Sequence, residues 1–102
     1  MLVLVLLGTA HARSEFKDGN QLLKVCASSD VADDANCAGY LASAVDAHPA
    51  VGYYQGRICI SPNVALSQVK GVVINFLEEK PELRHYVAAS IVLEALAEAF
   101  PC

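Results

Sequence analysis

The residues of this chain best suited to chemistry are its four cysteines, Cys26, Cys37, Cys59 and Cys102. A structural zinc site offers its thiolates in pairs two to four residues apart, because one turn of backbone must present two of them to the same ion. No two of these cysteines lie that close, so their spacing argues against a metal. A nucleophilic thiol needs a histidine in reach to draw off its proton, and beyond the first twelve residues the chain holds only His48 and His85. Asp46 and Glu94 are single carboxylates with no partner visible in sequence, so paired acid–base catalysis has no support. There is no glycine-rich phosphate loop and no Ser/His/Asp constellation in a recognisable context. An enzyme is not expected, and neither is a cofactor. In a short exported chain, an even number of cysteines favours two disulfides instead.

Export is what the N-terminus predicts. Leu2-Val3-Leu4-Val5-Leu6-Leu7-Gly8 is an apolar run, and Ala10-His11-Ala12 follows as a small-x-small tripeptide of the kind signal peptidase cleaves. Residues 1–12 therefore read as a signal peptide, truncated at its start because no Lys or Arg precedes the apolar run, and residues 13–102 as one domain. No segment supplies the roughly 20 apolar residues of a membrane span, so the mature chain is expected in the periplasm and off the membrane. Seven Lys and Arg against 11 Asp and Glu give a net charge of −4, the wrong sign for nucleic acid. With 55% hydrophobic and 18% charged residues, the chain has apolar surface enough to fold.

The elements that position the cysteines are helical by pattern. Asp18 and Gln21 are spaced to cap a first helix reciprocally, with Leu22, Leu23 and Cys26 on its inner face. Ser28-Ser29-Asp30 punctuates, and Asp33 and Asp34 fall in the first turn of a second helix, where negative charge meets the positive helix end. Cys37, Tyr40, Leu41, Ala44, Val45 and His48 make its inner stripe at a period of 3.6. Pro49 ends it, and the aperiodic stretch from Ala50 to Arg57, with two glycines and two adjacent tyrosines, reads as a longer loop. Ile58-Cys59-Ile60 is short and β-prone, and Ser61-Pro62-Asn63 turns the chain into a third helix with Val69, Val72, Val73, Phe76 and Leu77 inward. Gly71 within it implies close helix contact, and Glu78-Glu79-Lys80-Pro81 closes it. A fourth helix runs from about Val87 to Phe100, with His85 capping its start. The expected fold is all-α, a small four-helix, disulfide-stabilised bundle with one longer loop.

Four cysteines allow three connectivities, and sequence alone does not select one. The pairs Cys26–Cys37 and Cys59–Cys102 are favoured, the first clipping two helices across a short turn and the second tying down a terminus that would otherwise fray.

The ordered blocks Asp18-Gly19-Asn20-Gln21-Leu22-Leu23 with Cys26, Cys37-Ala38-Gly39-Tyr40-Leu41, Ile58-Cys59-Ile60-Ser61-Pro62, Pro81-Glu82-Leu83-Arg84-His85 and Ala99-Phe100-Pro101-Cys102 resemble the Rap/Tai family of immunity proteins. The resemblance covers nearly all of residues 13–102. It implies a periplasmic, helical, disulfide-bonded protein that protects its producer by blocking the cleft of a type VI secretion effector, a peptidoglycan amidase, often as a homodimer. Relatives often carry Thr or Ser after the proline where this chain has Asn63-Val64-Ala65, which implies a different start for the third helix.

An inhibitor's contact surface is expected to be exposed, partly aromatic and partly charged. Tyr53, Tyr54, Gln55 and Arg57 in the longer loop fit that description, and Glu78 and Glu79, with Glu82 nearby, form an acidic helix end able to steer a basic partner. Two other classes of function stay open: a periplasmic acid-stress chaperone, and a structural or interaction protein of the same fold with an unrelated partner.

Overall fold

Asp18 and Gln21 start the first helix by satisfying each other's backbone. The Gln21 amide donates to Asp18 Oδ1 at 2.8 Å, and the Asp18 amide donates to Gln21 Oε1 at 2.9 Å, so both orphan donors are used. The computed structural model describes residues 17–102, and the signal peptide expected over residues 1–12 lies outside them. Four α-helices make up the described fold: α1 Gly19–Ala27, α2 Val31–Ala47, α3 Leu66–Glu79 and α4 Ala88–Ala99, with 3-10 turns at His48–Ala50, Gly52–Tyr54 and Pro81–Leu83. The fold is the all-α bundle the periodicity predicts.

Asp30 caps α2 by accepting from the Asp33 amide at 3.2 Å, and Asp33 and Asp34 occupy its first turn. The start of α3 is unlike the others. It lies at Leu66, and the capping position falls to Ala65, which has no side-chain acceptor. Gln68 carries the cap alone, its Oε1 accepting from the Ala65 amide at 2.8 Å. The cap at α4 also differs from expectation. His85 is exposed and lies against Tyr86 with ring centroids 4.1 Å apart. The capping position is Val87, whose carbonyl accepts from the Ser90 hydroxyl at 2.8 Å.

Leu22, Leu41, Val73, Leu77, Val92 and Leu96 are fully buried together with Cys26 and Cys37. Each helix thus contributes its apolar stripe to one core, as burial of such stripes requires. The turn between α3 and α4 is closed by Arg84, whose Nε donates to the Leu77 carbonyl at 2.8 Å, filling an acceptor that the end of α3 leaves open. Lys70 and Asp34 pair at 2.6 Å between α3 and α2. The carboxylate is well exposed, so the pair contributes little to stability.

Ile58-Cys59-Ile60 forms no strand. Ile58 is buried in the core, and the Cys59 amide donates to the Phe100 carbonyl at 2.8 Å. Its apolar residues serve packing against the bundle rather than sheet pairing. Gly71 also departs from expectation. It is exposed, and a Cβ built there would meet nothing within 4 Å, so no close helix contact requires a glycine. Gly71→Ala should therefore raise stability by about 0.5–1 kcal/mol, the helix-interior advantage of alanine, read as a higher urea midpoint at unchanged slope. An unchanged or lower midpoint would contradict this.

Candidate functional site

The structure pairs the cysteines as Cys26–Cys37 and Cys59–Cys102, each with Cα atoms 5.0 Å apart. The two bridges lie in different surroundings. Cys26 and Cys37 are 1% and 0% exposed, inside the seam of α1 and α2, whereas Cys59 and Cys102 are both exposed. Among the described residues no group of His, Cys, Asp or Glu is arranged to hold a metal ion, and no helix is long and apolar enough to cross a membrane.

The longer loop is more ordered than its aperiodic sequence implies. Two 3-10 turns carry it from the end of α2, His48–Ala50 with Pro49 inside and Gly52–Tyr54 next. His48 is half-buried. Backbone bonds run from Tyr54 N–H to the Val51 carbonyl at 2.9 Å and from Arg57 N–H to the Tyr54 carbonyl at 3.0 Å. Gly56 has φ +74°, a conformation that side chains with a Cβ rarely adopt.

The structure brings Tyr53, Tyr54 and Arg57 together. The tyrosine rings meet edge to face at 4.9 Å, a favourable arrangement for two quadrupoles. The Arg57 guanidinium lies 4.6 Å from the centre of the Tyr53 ring, within range for cation–π attraction. Gln55 is exposed beside them, its side-chain amide 3.4 Å from the Pro49 carbonyl.

Tyr54 differs from its neighbour. It is half-buried, and its hydroxyl donates to Glu94 Oε1 at 2.8 Å. Glu94 is thus not the unpartnered carboxylate that local sequence implied. Burial first, then the hydrogen bond and the charge of Glu94, push the Tyr54 hydroxyl up to about 12.

Glu78 and Glu79 are exposed in the last turn of α3, with Glu82 on the following 3-10 turn. They form a second site, not an extension of the tyrosine cluster, and no hydrogen bond or ion pair joins the two among the described residues. Phe76 lies between them. It lines the hollow beside Tyr54 and Glu94 and also the one beside Glu79 and Glu98, with the Lys80 ammonium 5.3 Å from its ring centre.

These features define a class: a small all-α domain stapled by two disulfides, carrying an ordered aromatic and cationic tip on one loop and a solvated acidic helix end. Residues 18–102 match the family model of Rap1a immunity proteins. The chain belongs to that family. Searches of curated proteins and of solved structures each return no match.

Proposed function

We propose that this protein is an exported immunity protein that binds a type VI secretion peptidoglycan amidase in the periplasm and occludes its cleft, without catalysing a reaction itself. The observation that carries the reading is membership of the Rap1a immunity family over residues 18–102. Two disulfides in a small domain fit an oxidising compartment, and the apolar run with Ala10-His11-Ala12 supplies a route of export. Tyr53, Tyr54, Gln55 and Arg57 supply the contact side chains of this reading. Glu78 and Glu79 are a second, peripheral contact that steers association more than it holds the complex. Self-association into a homodimer belongs to the same reading.

The test is to mix the purified protein with the Cys/His peptidoglycan amidase that this reading requires, sought in a neighbouring reading frame, and follow peptidoglycan cleavage. Stoichiometric inhibition, with a complex that survives gel filtration at micromolar concentration, is the expected result. No inhibition and no complex would sink the reading. Suppression of aggregation of unrelated clients at a pH of about 2–3, below ordinary carboxylate pKa values, would favour a chaperone instead.

A further inference from the structure

The segment Gly52–Arg57 forms an ordered stack with one pinned end and one open end. At the pinned end, the Tyr54 hydroxyl donates to Glu94 Oε1 at 2.8 Å, joining the loop to α4 across 40 positions of sequence. The Tyr53 ring stands edge-on to Tyr54, and the Arg57 guanidinium lies over the Tyr53 ring. Gly56 supplies the positive φ of the turn just before Arg57. The outer end faces solvent: Tyr53 is 66% exposed, and Arg57 is exposed and in no ion pair among the described residues. On a chain of net charge −4, this is a cation held in place with no acidic side chain paired to it among the described residues.

We infer that Arg57, held over Tyr53, receives a carboxylate on the surface of the protein partner, and that Glu94 is the positioning residue that keeps the tip in this form. The inference rests on the immunity reading for the partner, whereas the role of Glu94 can be decided without one. A guanidinium stacked by its face still offers its edge N–H groups as a fork matched to a carboxylate. Ordering the stack before contact removes part of the side-chain entropy that binding would otherwise cost, and buried Arg and Tyr are the side chains that most often dominate interface energy. The tip and the acidic end of α3 place opposite demands on a partner, so a partner docked on the tip presents acid there and keeps its basic surface for Glu78 and Glu79.

One arm of the test needs no partner. In protein carrying 13C-labelled tyrosine, the Tyr54 resonance should titrate well above the ordinary tyrosine value, since burial and Glu94 raise it more than Arg57 lowers it. Glu94→Gln keeps an acceptor oxygen but removes the charge. It should lower the Tyr54 titration while trypsin cleavage after Arg57 stays slow. Glu94→Ala and Tyr54→Phe lose the bond, and should speed that cleavage about tenfold or more as the tip opens locally. Unchanged titration and unchanged cleavage in Glu94→Ala would overturn the positioning role.

The second arm measures affinity for the purified amidase. Arg57→Ala should weaken binding by about 30-fold or more, the loss expected of an interface hot spot, and Arg57→Lys should recover only part because an ammonium lacks the fork. Thermal unfolding should be unchanged in both. Wild-type affinity in Arg57→Ala would overturn the carboxylate contact. Failure of the wild-type protein to bind would remove the immunity reading and this contact together, and the first arm would still decide the role of Glu94.

Discussion

Opening the Cys59–Cys102 bond should cost about 4 kcal/mol, the chain-entropy value for a loop of its 43-residue separation. A domain of this size changes its melting temperature by about 4–8 °C per kcal/mol, so a Cys59→Ala, Cys102→Ala double variant should melt at least about 15 °C lower. The bond ties the last residue of the chain to the segment that places Ile58 in the core. Without it, the Cys59 amide bond to the Phe100 carbonyl and the packing of Ile58 must hold a free terminus, and such termini fray. The inner bond spans 11 residues, for which the same model gives about 3 kcal/mol. The two should also differ in order of reduction. Thiol–disulfide exchange requires a thiolate to reach a sulfur, and the outer cysteines are exposed while the inner ones are sealed in the core. A mild dithiol at neutral pH should therefore yield a species alkylated at Cys59 and Cys102 while Cys26 and Cys37 stay bonded, and peptide mapping would show it. Alkylation of the inner pair first, or a melting temperature that does not move in the double variant, would refute the account.

What could be read from the sequence follows the range of the interaction concerned. The reciprocal cap of Asp18 and Gln21 acts over three positions, and the apolar stripes repeat every turn, so both are visible without coordinates. The start of α3 is less visible. Its cap is half a motif, a glutamine at position 68 reaching back to an alanine, and the more conspicuous Ser61-Pro62-Asn63 turn draws the boundary earlier than the helix begins. The candidate contact loop is visible in its tyrosines and glycines, but its internal order is not. The bond from Tyr54 to Glu94 spans 40 positions, and no local periodicity links a loop tyrosine to one carboxylate among several. The β-prone run at Ile58-Cys59-Ile60 forms no strand for a related reason, because a propensity for pleated, half-buried surface does not distinguish a strand from an extended segment packed on helices.

The glycines show the same limit and allow a sharper experiment. Gly71 is the glycine that interrupts a helical pattern, yet Gly19 is the position where a side chain has no room. A Cβ there would come 2.6 Å from Ile91 Cδ1 and 2.9 Å from both the Cα and the carbonyl oxygen of Arg84. The isoleucine methyl can turn aside, but the backbone of Arg84 cannot, because it is bonded to the start of α1. The Gly19 amide donates to the Tyr86 carbonyl at 3.1 Å, the Asn20 amide to the Arg84 carbonyl at 3.0 Å, and the Ala88 amide to the Lys17 carbonyl at 2.9 Å. These bonds use amides that a helix N-terminus otherwise leaves unpaired, and they dock α1 onto the turn that enters α4. Gly19→Ala must push the two apart, straining or breaking them, and overpacking of this kind costs about 1–3 kcal/mol. Alanine's usual helical advantage of about 1 kcal/mol is too small to offset the loss when backbone hydrogen bonds are also given up. Gly19→Ala should therefore lower the urea midpoint, and amide exchange should quicken at Gly19, Asn20 and Ala88 before it does in the core of α3. Gly71→Ala, the same substitution in open space, should move the midpoint the other way. Equal shifts of the same sign in the two variants would mean that helix propensity, not the docking of α1 on the 84–88 turn, decides both.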